Sequence, residues 1–223
     1  MSGYELIPAK DLPGTPDELK EAAHGVGSKA LRMINAMAAH MDSDSVWCGV
    51  VGRGLLHGNL HTQEYMTELM MADGIDLGGI EWRVSLRAGR SGLLLANNVA
   101  QRYVITRDAL DPPKDSSGAP LMGTDTLYRQ LGHILDITAS GAHVQIGIIT
   151  KRSLGAMAEA CVDHLYTSSD VGVPVTTMEG DTPTMLVGGE SAAELLQQSS
   201  ELAALPPDIS RHIIENRWKA LRP

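Results

Sequence analysis

The segment Val144-Gln145-Ile146-Gly147-Ile148-Ile149 is an almost continuous apolar run, and it decides the fold class. Strands that are covered on both faces show this pattern, whereas strands with one solvent-facing side alternate apolar and polar residues. Segments with helical periodicity surround this run, so we predict an α/β (mixed α+β) fold in which a small mixed sheet is flanked by helices. Further strands are predicted at 47–51, at 102–107 and within 163–187.

Helix-start signals place the helices around this sheet. Thr15-Pro16-Asp17-Glu18 combines a Thr cap, a Pro in the first turn and a Glu three residues after the Thr, which predicts a helix toward Met41. Thr62 is predicted to cap a helix that ends at Gly74. We therefore divide the chain into an N-terminal helical segment, residues 1–45, and a single main α/β domain, residues 46–223. The other predicted helices cover 81–97, 125–138, 191–205 and 207–221.

The helix at 81–97 has two recognisable faces. The apolar face contains Trp82, Leu86, Gly89, Leu93 and Ala96, and the neighbouring face contains Arg83, Arg87 and Arg90. Three guanidinium groups in a row suit a carboxylate, a phosphate or an acidic partner. The alternative is a solvated helix face with local ion pairs, and the sequence alone favours this second interpretation.

Composition excludes several classes of protein. The 223 residues include 18 Lys and Arg against 27 Asp and Glu, for a net charge of −9, whereas nucleic-acid binding needs clustered basic residues. No apolar run approaches the roughly 20 residues of a membrane helix. The first residues lack the features of a signal peptide, and two cysteines make no disulfide framework. We expect a cytoplasmic protein that binds neither nucleic acid nor membrane.

Two local patterns after the strand at 47–51 have more than one interpretation. Gly52, Gly54 and Gly58 resemble a dinucleotide-binding turn, but the spacing is wrong and no helix follows at once. His57 and His61 are four residues apart, the spacing of two metal ligands on a helix, but Gly58 and the following Asn make a helix there improbable. We interpret the glycines as a tight strand exit and the histidines as turn or capping residues, and we predict neither a cofactor nor a metal.

Six short segments, taken in order, carry a family resemblance. The first, Gly58-Asn59-Leu60-His61-Thr62-Gln63-Glu64-Tyr65, is similar to a Gly-Leu-Leu-Gln-Thr-x-x-Tyr signature. The others are 83–91, 105–110 (similar to a strand of the family), 129–131, 144–148 and 205–211. Together they resemble, over residues 46–223, a domain of unknown function that usually follows an XRE-type helix-turn-helix in actinobacterial regulators.

The resemblance implies a regulator's effector half, which senses a ligand or a small partner protein. His61 replaces the Gln of the signature. Residues 1–45 offer one capped helical region rather than a compact helix-turn-helix, so we expect no DNA reading by this chain alone.

The function that we predict is binding of a small molecule, or of a small acidic or amphipathic partner protein, in a cleft of a stand-alone effector-type domain. A homodimer is compatible with this prediction. The alternative is an enzyme recruited from the same scaffold for acid–base chemistry on a small molecule in a biosynthetic pathway, with His61, Asp108 and Glu179 as catalytic residues. No catalytic motif decides between them. The predicted ligand-binding residues are His57, Tyr65, Arg83, Arg87 and Arg90.

Overall fold

The computed structural model describes residues 38–39, 41–52, 54–139, 143–149, 160–166, 172–178 and 203–222. Most of the predicted N-terminal helical segment 1–45 and most of the predicted helix 191–205 lie outside these residues.

Five strands form one mixed sheet in the order β3-β2-β1-β4-β5. The first three strands in the chain are parallel, while β4 runs antiparallel to β1 and β5 antiparallel to β4. The sheet and its helices make one mixed α/β domain, as predicted from the sequence. The strands are β1 (Val46–Val51), β2 (Ala100–Thr106), β3 (Val144–Ile149), β4 (Ala160–Tyr166) and β5 (Gly172–Met178).

Four helices accompany the sheet within the described ranges. They are α1 (Gln63–Ala72), α2 (Leu77–Ala96), α3 (Thr124–Ala139) and α4 (Pro207–Ala220). The Thr62 side chain accepts a hydrogen bond from the backbone N–H of Tyr65, so the predicted cap of α1 is confirmed. Asp76 caps α2 in the same way through the N–H of Gly79. In the part of the chain that the structure describes, no helix is both long and apolar enough to cross a bilayer.

Helix α3 buries the face that its sequence predicts. Leu127, Leu131, Ile134 and Leu135 all lie in the core beneath the helix. Burying a side chain of this size stabilises the fold by about 1.5–3 kcal/mol, so this face fixes α3 against the sheet. The Glu68 carboxylate of α1 accepts hydrogen bonds at the start of α3, from Gly123 N and Thr126 Oγ1.

Helix α2 leaves exposed three of the residues that were predicted on its buried apolar face. Gly89, Leu93 and Ala96 are exposed. The reason is that α2 packs on α1 and on the turn after β1, so the face turned inward is offset from the predicted one. The buried positions of α2 include Ile80, Val84, Arg90 and Leu94.

The segment 105–110, which resembles a strand of the family, divides into two elements. Strand β2 ends at Thr106, and Arg107–Leu110 forms a short 3-10 helix. Ala109 and Leu110 are buried, so the turn closes the end of the strand while Asp108 stays exposed.

Candidate functional site

The chain turns back over the sheet immediately after β1, and His57 fixes this turn. His57 Nδ1 accepts a hydrogen bond of 3.1 Å from the backbone N–H of Asn59 and so caps the 3-10 helix Gly58–Leu60. The predicted role of a turn and capping histidine is confirmed for this residue. Because Nδ1 accepts, the neutral ring carries its proton on Nε2.

Gly49 in β1 has no side chain, and this leaves space for the ring of His57. Gly49 lies beside Tyr103 of β2 in the sheet register. A Cβ atom at Gly49 would lie 3.0 Å from Tyr103 Cδ1, which is a tight contact, and 2.8 Å from His57 Cδ2, which is closer than real Cβ atoms approach. The rings of His57 and Tyr103 contact each other with their centres 4.7 Å apart. Gly49 is therefore required for the close approach of the two rings.

Asn59 is the centre of a buried hydrogen-bond network. Its Oδ1 accepts from Arg90 Nε at 2.6 Å, and its Nδ2 donates to the Tyr103 hydroxyl at 3.0 Å. The Tyr103 hydroxyl in turn donates to Gln101 Oε1 at 2.7 Å. The Asn59 carbonyl accepts from Ser91 Oγ at 2.9 Å. With its N–H bonded to His57, every polar group of Asn59 has a partner, so the network joins the turn, α2 and β2.

Arg90 is an interior residue and not part of a solvated face. It is 4% exposed, and its guanidinium carbon lies 5.5 Å from the centre of the Trp47 ring. The sequence-based preference for a solvated arginine face is therefore wrong at this position. The physical reason is the Asn59 oxygen, which gives the buried guanidinium a charge-assisted hydrogen bond, together with the face of Trp47.

Gln130 of α3 holds the other end of the turn. Its Nε2 donates to the Leu60 carbonyl and its Oε1 accepts from the Thr62 N–H, each at 2.6 Å. Gln130 is fully buried, and its bond to Leu60 is formed away from water. The amide therefore fixes the backbone on both sides of His61.

His61 lies between Leu60 and Thr62, whose backbone groups are bonded to Gln130. Its ring is near the positive charges of Arg87 and Arg90. Its Nε2 contacts the Leu56 carbonyl at 2.8 Å, which identifies Nε2 as the protonated nitrogen of the neutral ring. Burial of the ring, followed by the charge of Arg87, lowers the pKa of His61 well below its usual range. His57 and Arg90 lower the pKa further, against the opposing effect of the Leu56 carbonyl. His61 is therefore neutral near pH 7.

Tyr65 packs against His61, with the ring centres 4.7 Å apart. The Tyr65 side chain is fully buried, and this burial raises the pKa of its phenol despite an opposing effect of the Leu56 backbone. Tyr65 therefore remains a protonated donor at any ordinary pH.

Gly58 lies open to two guanidinium groups. A Cβ atom at Gly58 would come within 3.6 Å of Arg90 Nη2 and 3.7 Å of Arg87 Nε, which are ordinary contact distances. We call His57, Gly58, His61, Arg87 and Arg90 the arginine–histidine site. The charged groups of this site are positive. Because Gly58 has no side chain, its backbone lies directly beside the guanidinium groups of Arg87 and Arg90.

The structure places the predicted site residues in two regions. His57, His61, Tyr65, Arg87 and Arg90 come together around the turn after β1. Arg83 lies one turn earlier on α2 and is partly buried. Asp108 lies at the end of β2, where its Cβ would be 3.2 Å from a Cβ at Gly54. Glu179 lies outside the described residues.

Sequence reasoning did not assign a role to the residues that hold the site together. Asn59, Tyr103 and Gln130 are buried and each is bonded to a distant part of the chain, while the buried Gln101 accepts from Tyr103 in the same strand. Gln130 had a usable signal, since it occupies a helix position beside the apolar Leu131. No signal marks Asn59, because a Gly-Asn pair is typical of an exposed turn.

The donor set favours an organic or inorganic anion over a metal. Across the described ranges, no group of three or more His, Cys, Asp or Glu residues has the geometry of a metal site. His57 and His61 each use a ring nitrogen to bond the backbone of the turn. Guanidinium groups instead provide the planar donors that carboxylates and phosphates prefer.

Comparison with known proteins places the chain in a family. Residues 37–216 match the family described as Domain of unknown function (DUF5753), and the chain belongs to that family. This match confirms the resemblance to a domain of unknown function. No curated protein and no solved structure matches the chain.

Proposed function

We propose that this chain is an effector-type binding domain, and that it binds an anionic ligand at the arginine–histidine site. The ligand is a small molecule with a carboxylate or phosphate group, or the acidic side chain of a small partner protein. This is the binding function expected from the sequence, made more specific by the charge of the site.

One observation carries the proposal. The two charged side chains that lower the pKa of His61, Arg87 and Arg90, are both guanidinium groups. Two positive charges beside a neutral buried ring favour the binding of an anion. The partly buried position of Arg87 strengthens its attraction for an anion relative to a fully solvated arginine.

The family resemblance supports the biological context of this proposal. The segments of the chain resemble the effector half of XRE-type actinobacterial regulators, whose second half senses a ligand or a partner. We infer that this cytoplasmic chain has the same sensing role without reading DNA itself. Its net charge of −9 supports the second part of that inference.

The proposal is tested by calorimetric titration of the chain with succinate and, separately, with inorganic phosphate. We expect saturable binding of at least one anion. Arg87→Ala should weaken it by about 1–3 kcal/mol, because a charge-assisted hydrogen bond is lost. Arg222→Ala removes the same charge from an exposed position near the end of α4 and should leave the affinity unchanged.

A second variant, Gly58→Ala, tests whether blocking the site sterically weakens anion binding when no charge is removed. Gly58→Ala keeps all positive charges and places a methyl group at ordinary contact distance from both arginines. We expect an unchanged fold and weaker anion binding. Absence of binding by the wild-type chain, or equal binding by wild type and Arg87→Ala, would contradict the proposal.

An enzyme recruited from this scaffold is the second candidate, and the state of His61 favours it specifically. The neutral ring directs its Nε2 proton to a backbone carbonyl, so Nδ1 is the nitrogen that would act as the base if the turn opened to admit a substrate. His61→Gln would restore the residue of the family signature and remove this base. A fall in turnover of about 10²–10⁴-fold with the fold preserved would support the enzyme, whereas unchanged ligand affinity with no turnover supports binding alone.

A further inference from the structure

A small cavity lies at the edge of the sheet, where the start of β3 meets the first turns of α4 and the end of α3. Its volume is about 260 Å³. Val144, Ile146 and Ile214 form the apolar part of its lining, and Asp208 and Arg211 of α4 form the charged part. Strand β3 is an edge strand and runs in the same direction as β1, so this cavity is at the opposite end of the strands from the arginine–histidine site.

The backbone of Ile146 has unpaired hydrogen-bonding groups at this cavity. Two positions later, the Ile148 carbonyl accepts from Leu205 N–H at 2.9 Å and the Ile148 N–H donates to Ser210 Oγ at 3.0 Å, both on the side away from β2. Because the backbone groups of alternate residues in a strand point to the same side, those of Ile146 also point away from β2. Neither group is bonded to a described residue, although Ile146 is only 3% exposed. Buried backbone groups are almost always paired, so one donor and one acceptor here lack partners.

Arg211 is held in position by the end of α3. Its Nη1 donates to the Leu135 carbonyl at 2.7 Å and to Thr138 Oγ1 at 2.5 Å. Both bonds use the same nitrogen, and the edge formed by Nε and Nη2 makes no hydrogen bond to a described residue. That edge presents two parallel N–H donors, which is the arrangement that a carboxylate prefers.

Asp208 provides a negative charge at the same cavity. It lies in the first turn of α4, three positions before Arg211, so the two side chains are neighbours on one face of the helix. Its carboxylate is exposed and makes no hydrogen bond or ion pair with another described residue. Glu215, one turn further along α4, is paired with Lys219 at 2.7 Å. The cavity therefore combines one positive group, one negative group and an apolar wall.

We propose that this cavity binds a free α-amino acid with a small apolar side chain. The carboxylate of the ligand binds the Nε–Nη2 edge of Arg211 and the N–H of Ile146. Its ammonium group binds the Asp208 carboxylate and the Ile146 carbonyl, and its side chain contacts Val144 and Ile214. The cavity is smaller than the roughly 300–1,000 Å³ of sites for drug-sized ligands, which suits a single amino acid. This site is separate from the arginine–histidine site, so the inference does not rest on the proposed function.

Calorimetric titrations with L-valine, isovalerate and isobutylamine test this inference. Isovalerate lacks the ammonium group of valine, and isobutylamine lacks its carboxylate. We expect valine to bind saturably and about tenfold or more tightly than either analogue, because each analogue loses the charge-assisted hydrogen bonds of one group. Asp208→Asn should weaken valine binding by about tenfold and leave isovalerate binding unchanged. Asp125→Asn removes an exposed carboxylate from the first turn of α3 and is the matched control, which should bind valine like wild type.

The backbone amide of Ile146 provides a readout at the site itself. In nuclear magnetic resonance spectra, valine should shift this amide resonance and slow the exchange of its hydrogen with solvent, in wild type and in Arg87→Ala alike. No saturable binding of valine, or equal affinities for valine and isovalerate, would overturn the inference and leave the proposed anion binding intact. Equal valine affinities of wild type and Asp208→Asn would also overturn it. Loss of valine binding in Arg87→Ala would do the same, because the ligand would then occupy the arginine–histidine site.

Discussion

Replacement of Asn59 by Ala tests whether the buried network holds the turn in place. The substitution removes the acceptor of Arg90 Nε and the donor to the Tyr103 hydroxyl, both of which are buried. A hydrogen bond to a charged group contributes about 1.5–3 kcal/mol and a neutral one about 1 kcal/mol. We therefore expect Asn59→Ala to lower the free energy of unfolding by about 2.5–4 kcal/mol.

Urea denaturation followed by circular dichroism measures this loss. Asn97→Ala is the matched control, because Asn97 makes one side-chain hydrogen bond, to the Met41 carbonyl, and should cost only about 1 kcal/mol. Tyr103→Phe should couple to Asn59→Ala in a double-mutant cycle by about 0.5–3 kcal/mol. A loss below about 0.5 kcal/mol for Asn59→Ala, as for an ordinary surface substitution, would refute the role of the network.

Three further predictions concern packing, pH and DNA. Gly49→Ala should destabilise the chain by about 1–3 kcal/mol in thermal unfolding, because its Cβ would overlap the His57 ring; an unchanged melting temperature contradicts this. The lowered pKa of His61 means that the unfolded chain binds more protons below about pH 6.5, so stability should fall as the pH drops from there toward the folded pKa. His61→Gln should make stability depend less on pH than in wild type. Burial also lowers the pKa of His133, and His133 contributes equally to the wild type and the variant. Fluorescence anisotropy should detect no saturable, sequence-selective binding of duplex DNA below about micromolar concentration.

The sequence predicted most elements of the fold because their signals are local. The apolar run at Val144–Ile149 and the periodicity of α3 depend on neighbouring residues, and both elements lie where they were predicted. The inward face of α2 was predicted less well, because its buried positions include an arginine. Nothing in the helix itself reveals that Asn59, 31 positions earlier, provides the partner of Arg90.

Only part of the candidate site was predicted, because the contacts that hold it together are also long-range. The spacing of the two histidines, the family signature and the arginine row indicated His57, His61, Arg87 and Arg90, and the structure brings these residues together. The contacts that hold them are long-range: the bond from Asn59 to Tyr103 joins residues 44 positions apart. Composition and spacing contain no information on such pairs, so the network emerges only from the fold.

The pKa of His61, measured by nuclear magnetic resonance titration of its ring nitrogens with and without succinate, tests the central claim most directly. In the free chain the burial of the ring, followed by the positive charges of Arg87 and Arg90, holds this pKa well below 6.5. A bound anion opposes that field, so the account predicts that saturating succinate raises the pKa of His61 in wild type and raises it less in Arg87→Ala. A His61 pKa that is the same with and without succinate would contradict an anion site at this position.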